Sequence, residues 1–111
     1  MDVLEMTHSR HGDLVVVSLS GEVDVDNVGR LRKVFDESVR GCGERMVVDL
    51  TGLTFIDTTG LGVLVRLRAA LRDREGTLAL VAADGQVLRR LRRTNLAPLF
   101  PIYDSLAQAL T

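Results

Sequence analysis

The stretch Thr51–Leu64, T-G-L-T-F-I-D-T-T-G-L-G-V-L, constrains this chain more than any other. Before it, Met46-Val47-Val48-Asp49-Leu50 is too apolar and too β-branched for a surface segment and reads as a buried strand. After it, Leu61, Leu64, Leu67 and Leu71 are spaced to share one face of a helix. The chain is therefore expected to pass from a buried strand, through a short turn, into an apolar helix. Asp57-Thr58-Thr59 stand at the start of that helix, where backbone N–H groups lack partners. A hydroxyl or the Asp57 carboxylate there can cap the helix, and a phosphate added there meets the positive end of the helix dipole.

The remaining segments extend the same pattern. Leu4–Ser9 reads as an edge strand and Asp13–Ser20, with its run Leu14-Val15-Val16-Val17, as a stronger one, joined by a hairpin turn at His11-Gly12-Asp13. Asp26 or Asn27 can cap a helix carrying the stripe Val28, Leu31, Val34, Phe35 and Val39, and Gly41-Cys42-Gly43 ends it. The buried strand Arg45–Leu50 follows, then the Thr51–Asp57 turn and a helix to about Arg74. Glu75-Gly76 breaks that helix, and Thr77–Val81 reads as a short strand. Asp84 is placed to cap a third helix bearing Val87, Leu88 and Leu91, with Phe100–Tyr103 as a last strand and Ser105–Leu110 as a small terminal helix. Two strands followed by alternating helix and strand predict an α/β fold. Its sheet should be mixed and mostly parallel, of about four or five strands, with helices packed against it.

At 111 residues the chain fits one domain, 1–111, able to hide roughly two-thirds of its unfolded surface without a metal or disulfide. Aromatics are scarce and Trp is absent, so the core is expected to be aliphatic. A net charge of −1 provides no basic field for nucleic acid. Cys42 is the sole cysteine, which excludes an internal disulfide and fits a reducing compartment. Met1-Asp2-Val3-Leu4-Glu5 lacks the basic-then-apolar order of a signal peptide, and no apolar run approaches the ~20 residues of a membrane span. The expectation is a soluble cytoplasmic protein without nucleic-acid or membrane partners.

Other chemistry finds little support. His8 and His11 have no Cys or His at ligand spacing, so no metal site is expected. Gly60 and Gly62 form a lone G-x-G with no Lys-Ser or Lys-Thr behind it, so there is no P-loop. These glycines suit close helix–sheet packing, or a partner approaching the helix start. Glu22 and Asp24, after the second strand, could do acid–base work only if they converged and titrated unequally. A solvated turn is the simpler expectation for them. Arg89-Arg90-Leu91-Arg92-Arg93 reads as the solvated face of a helix whose Leu88 and Leu91 point inward; as a ligand site it would suit an acidic protein surface better than DNA.

Two segments carry a family resemblance. Asp49-Leu50-x-x-Leu53-x-Phe55-Ile56-Asp57-Thr58-Thr59-Gly60-Leu61-Gly62 resembles the signature of the bacterial anti-sigma factor antagonists, the STAS domain. Leu19-Ser20-Gly21-Glu22-Val23-Asp24 resembles the family's second characteristic segment, at the expected distance. The resemblance implies a protein-binding switch, not an enzyme, with no cofactor of its own. Its partner would be an anti-sigma factor that is also a serine/threonine kinase of the histidine-kinase-like ATPase fold. Docking would release a sigma factor, phosphorylation would end the docking, and a phosphatase would reset the switch. By resemblance Thr58 takes the phosphate; Ser is the usual residue, and Thr keeps the hydroxyl while adding a methyl. Asp57 would help place that hydroxyl, and Thr59, Gly60 and Gly62 would share the partner surface. Gly21, Glu22 and Asp24 would lie in a nearby loop and contribute contacts.

Alternatives stay within and outside protein interaction. The chain could be a STAS subunit of a stress-signalling scaffold or of a lipid-transport ATPase. It could also be a small nucleotide-binding protein using Asp57 and the adjacent glycines. A receiver domain with Asp57 or Asp49 as phosphoacceptor would need an acidic pair after the first strand and a Lys near the last; here Glu22 and Asp24 are the only nearby acids, and the sole Lys, Lys33, falls in the first helix.

Overall fold

Two strands open the chain, β1 (Glu5–His11) and β2 (Leu14–Val23), and helix and strand then alternate. The order is α1 (Val28–Gly41), β3 (Arg45–Ile56), α2 (Thr58–Arg72), β4 (Thr77–Val81) and α3 (Gln86–Arg93). A 3-10 turn (Ala97–Leu99), β5 (Ile102–Tyr103) and α4 (Leu106–Leu110) complete it. This is a computed structural model, and it describes residues 3–41 and 45–111. Met1, Asp2 and the Cys42-Gly43 part of the expected helix stop lie outside the described residues.

The five strands lie side by side in chain order. β1 pairs antiparallel with β2 through a two-residue turn, and every later pair is parallel. The fold is α/β with a mixed, mostly parallel five-stranded sheet, as the alternation predicted. Because strand side chains alternate, each strand feeds two cores. Val15, Val17, Met46, Val48 and Leu80 meet Leu31 and Phe35 of α1, Leu61, Leu64, Leu67 and Leu71 of α2, and Val87 and Leu91 of α3. On the other face Leu14, Val16, Val47 and Val81 pack with Leu106 and Ala109 of α4. Burial on both faces explains why the strands read as continuous apolar runs. The core is aliphatic apart from Phe35 and Phe100.

Two segments read as turns or loops are strand. β3 does not stop at Leu50 but runs to Ile56, so Thr51–Asp57 is not a turn. The Thr51-Gly52 signal marks an irregularity in pairing. The Asp49 Oδ1 accepts from the Thr51 N–H at 3.0 Å and from its Oγ1 at 2.7 Å, and the register with β2 shifts between Ser18 and Ser20. Pairing then resumes at Ser20 with Gly52 and ends at Val23 with Ile56. A Cβ on Gly52 would lie 2.8 Å from the Leu19 carbonyl oxygen, so the strands approach too closely there for a side chain. β2 likewise continues to Val23, so Gly21 and Glu22 are strand residues and not part of a loop. Gly21, at φ +98°, lies under the Val3 carbonyl, where a Cβ has no room.

β4 follows β3 only as far as Asp49 opposite Val81. The ends of β2 and β3 therefore form a two-stranded ribbon beyond the rest of the sheet, and α3 packs against β3. As expected, Val87, Leu88 and Leu91 are buried on α3. Its expected cap is absent: Gly85 holds the N-cap position without a side-chain hydrogen bond, and Asp84 does not serve. α2 ends at Arg72 and not Arg74, closed by the Gly76 N–H on the Leu71 carbonyl at 2.7 Å.

Candidate functional site

The ribbon ends where the chain enters α1 and α2, and this is where the sequence placed its candidates. Asp57 leaves β3 in extended conformation, and its N–H donates to the Val23 carbonyl at 3.1 Å, tying the two strand ends together. Its side chain turns back over α2, accepting at Oδ1 from the Gly60 N–H at 3.1 Å and from the Thr59 hydroxyl at 2.5 Å. Asp57 is therefore the helix cap, and neither threonine plays that role. Partial burial opposes ionisation of this carboxyl. The Thr59 hydroxyl and the N–H groups of Gly60, Thr59 and Val25 more than offset it and hold the carboxyl below its ordinary value of 3.8.

That cap separates two adjacent hydroxyls. Thr59 is exposed, but its hydroxyl is engaged with Asp57. Thr58, the first residue of α2, is exposed, and among the described residues its hydroxyl has no hydrogen bond. A free hydroxyl at a helix's first position, at the positive end of the helix dipole and open to solvent, can accept a phosphoryl group without disturbing the core.

Gly60 and Gly62, read together in the sequence, do different things. Gly60 is buried, and a Cβ there would come within 2.7 Å of both Ile56 Cγ1 and Val23 Cγ1. It lets α2 seat on the strand ends. Gly62 is exposed and a Cβ would meet nothing within 4 Å, so packing does not require glycine there.

The neighbouring loop is organised by Asp24 and Asn27. The Asp24 Oδ1 accepts from the N–H groups of Asp26 at 2.9 Å and Asn27 at 3.2 Å. Asn27, buried, returns its Oδ1 to the Asp24 N–H and donates from Nδ2 to the Glu22 carbonyl at 2.9 Å. Asp24 is thus a turn-former, and Asn27 braces the loop in place of simply capping α1. Glu22 is exposed on the ribbon and does not form a catalytic pair with Asp24. The bracing swings Val25 outward to 69% exposure, while its N–H reaches the Asp57 carboxylate. The sequence reading missed Val25. The sequence carries no signal for it, because Val23-Asp24-Val25 continues the alternation of a strand and only the turn built by Asp24 and Asn27 sends the second valine outward.

The structure therefore brings Asp57, Thr58, Thr59, Gly60 and Gly62 together with the 22–25 segment, with Gly21 below as a backbone support. Among the described residues no group of three or more His, Cys, Asp or Glu converges to hold a metal ion, and no helix is long and apolar enough to cross a membrane. A family model for the STAS domain matches residues 5–109.

The chain belongs to the STAS family.

This STAS chain is 34% identical over 110 residues to the anti-sigma F factor antagonist of Paenibacillus polymyxa, covering 97% of this chain and 92% of that one. It is 28% identical to an anti-sigma factor antagonist from Mycobacterium paratuberculosis, whose crystal structure matches with a TM-score of 0.89 over 96% of this chain and 91% of that one. At 18% identity it shares the fold of SpoIIAA from Bacillus, with a TM-score of 0.74 to both the unphosphorylated and the phosphorylated form. These matches cover 96% of this chain, and 94% and 96% of the SpoIIAA chains. Anti-sigma factor antagonists are regulators and not enzymes.

Proposed function

We propose that this chain is a cytoplasmic anti-sigma factor antagonist switched by phosphorylation at Thr58. In this reading the unmodified protein docks through the opening of α2 and the adjacent 22–25 segment. Its partner is an anti-sigma factor with serine/threonine kinase activity and a histidine-kinase-like ATPase fold, and docking frees a sigma factor. The kinase holds ATP and Mg²⁺ on its own side. The Thr58 oxygen attacks the γ-phosphorus, a new O–P bond forms, ADP departs with the bridging oxygen, and the hydroxyl proton passes to a base on the kinase. A phosphatase later hydrolyses the ester, restoring the hydroxyl and releasing phosphate.

The reading is carried by one observation: of two adjacent exposed threonines, Thr59 is engaged by Asp57 and Thr58 is free. Phosphothreonine brings about −1.5 to −2 charge to that point at neutral pH. The start of α2 tolerates it, so the fold persists. A docked partner does not, because the charge must be desolvated next to the ionised Asp57. A loss of ~3 kcal/mol at the interface already weakens binding more than a hundredfold.

Incubation with the cognate kinase and ATP should add one phosphate, located at Thr58 by mass spectrometry. Thr58→Ala should take up none and stay bound to the kinase, and Thr58→Glu should bind at least tenfold more weakly. Phosphate on Thr59, or equal affinity of the two variants, would remove the switch.

A further inference from the structure

The function proposed above leaves one strongly charged surface unused. The chain carries a net charge of −1, yet the eight residues of α3 contain four arginines and no acid, so the rest of the chain carries a net −5. Among the described residues, Arg89, Arg90, Arg92 and Arg93 have no acidic partner within ion-pair distance. The helix dipole accounts for Arg90, Arg92 and Arg93 in the last turn. It does not account for Arg89, and Arg89 and Arg90 both add like-charge pairs with Arg92 or Arg93 at helical spacing. The fold itself thus gains little from this concentration of charge.

The arginines also have a shaped setting. The Arg90 guanidinium lies over the Phe55 ring, 5.3 Å from its centroid, which fixes it against the β2–β3 ribbon. Beside it opens a cleft of about 210 Å³ lined by Phe55, Gln86, Arg89, Arg90, Arg93 and Thr94. The guanidinium forks and the amide of Gln86 offer donors matched to carboxylates, with an apolar ring beneath.

We propose that this α3 face is a docking surface for an acidic, Asp/Glu-rich protein segment, distinct from the Thr58 contact. Charge complementarity identifies the occupant. Nucleic acid fits less well, because Arg90 already covers the Phe55 ring against a stacking base.

The test needs no kinase. A capped twelve-residue peptide of alternating Glu and Asp is titrated into the ¹⁵N-labelled protein at low salt. A twelve-nucleotide single-stranded DNA and phosphatidylglycerol vesicles are run as separate arms. The peptide should shift the amides of Phe55 and α3, and binding should weaken at least tenfold in Arg89→Glu/Arg93→Glu. Arg92→Glu changes charge on the same helix but lies outside the cleft, and it should weaken binding less than threefold. Unchanged amide spectra elsewhere establish that each variant is folded. The proposal is overturned by shifts confined to other surfaces, by equal losses in the two variants, or by tighter binding of DNA or vesicles.

Discussion

The first turn of α2 has an inner and an outer side, and they are built on opposite principles. Inside, each group is committed: Gly60 lies against Ile56 and Val23, Leu61 enters the core, and the Asp57 carboxylate is engaged by Thr59, Gly60 and Val25. Outside, Thr58 and Gly62 touch little, and Val25 is exposed beside them. Under the proposed switch, this contrast is what lets a small domain carry a modified hydroxyl. Rigidity is concentrated one residue away from the Thr58 hydroxyl, so a charge added there would not loosen the core. It also explains how two threonines in succession differ, since the cap engages one hydroxyl and leaves the other.

The inner side is where the largest stability change is expected. Gly60→Val would force its branched side chain against Ile56 and Val23, both fully buried and unable to yield. Overpacking of this kind costs about 1–3 kcal/mol, and this site belongs at the upper end. The midpoint of urea unfolding should fall accordingly, with α2 parting from the strand ends. A variant as stable as the parent would mean that Gly60 is no closer to the sheet than Gly62, and the contrast between the two sides would fail.

Asp57 joins the sides, and its effect should be intermediate. Asp57→Ala removes the cap and releases the Val25 N–H, a loss of about 1–2 kcal/mol. Asp57→Asn keeps an accepting oxygen and should cost less at neutral pH, which separates capping from charge. The pH dependence has a definite sign. The folded carboxyl titrates below its ordinary value of 3.8, so its ionised form favours the native state above that pH. This contribution is lost as pH falls through the lowered folded value. Denaturant melts from pH 6 to pH 2 should show the parent losing more stability than Asp57→Asn at the acid end. Parallel curves would mean that the hydrogen bonds from Thr59, Gly60 and Val25 do not act on the charge.

Much of this was legible in the sequence, and the parts that were not share a physical cause. Helix stripes such as Leu61, Leu64, Leu67 and Leu71 and buried runs such as Leu14–Val17 are local patterns, and they placed the elements and the α/β class correctly. Thr51-Gly52 is also a local pattern, but its meaning depends on β2 lying alongside: the same two residues make a turn in isolation and an irregular pairing beside a second strand. Asp84 failed as a cap because good capping chemistry in the sequence does not ensure the right backbone geometry. Gly60 and Gly62 look alike two residues apart, and only the proximity of Val23 and Ile56 separates them. The stacking of Arg90 on Phe55 joins α3 to β3 across distant positions in the chain, beyond the reach of periodicity. Asp57 as a helix cap was legible from its position before the apolar stripe, but which of the two neighbouring hydroxyls it would engage was not.

The smallest expected change in stability lies on the outer side, and it carries the opposite sign. In Gly62→Ala the new methyl enters open space, so nothing in the fold opposes it. Replacing an exposed helical glycine by alanine should stabilise the protein by about 0.5–1 kcal/mol, since the unfolded chain loses freedom and the helix gains propensity. A glycine retained there against that gain is explained if bare backbone is what a partner needs to approach. The methyl should then weaken binding to the anti-sigma factor by about tenfold, equivalent to ~1.4 kcal/mol. Denaturant unfolding and calorimetric titration on the same sample give both quantities. Higher stability with unchanged affinity would take Gly62 out of the contact and shrink the docking surface toward Thr58 and Val25. Higher stability with weaker binding would place the contact along the second turn of α2, on the side the fold leaves unfilled.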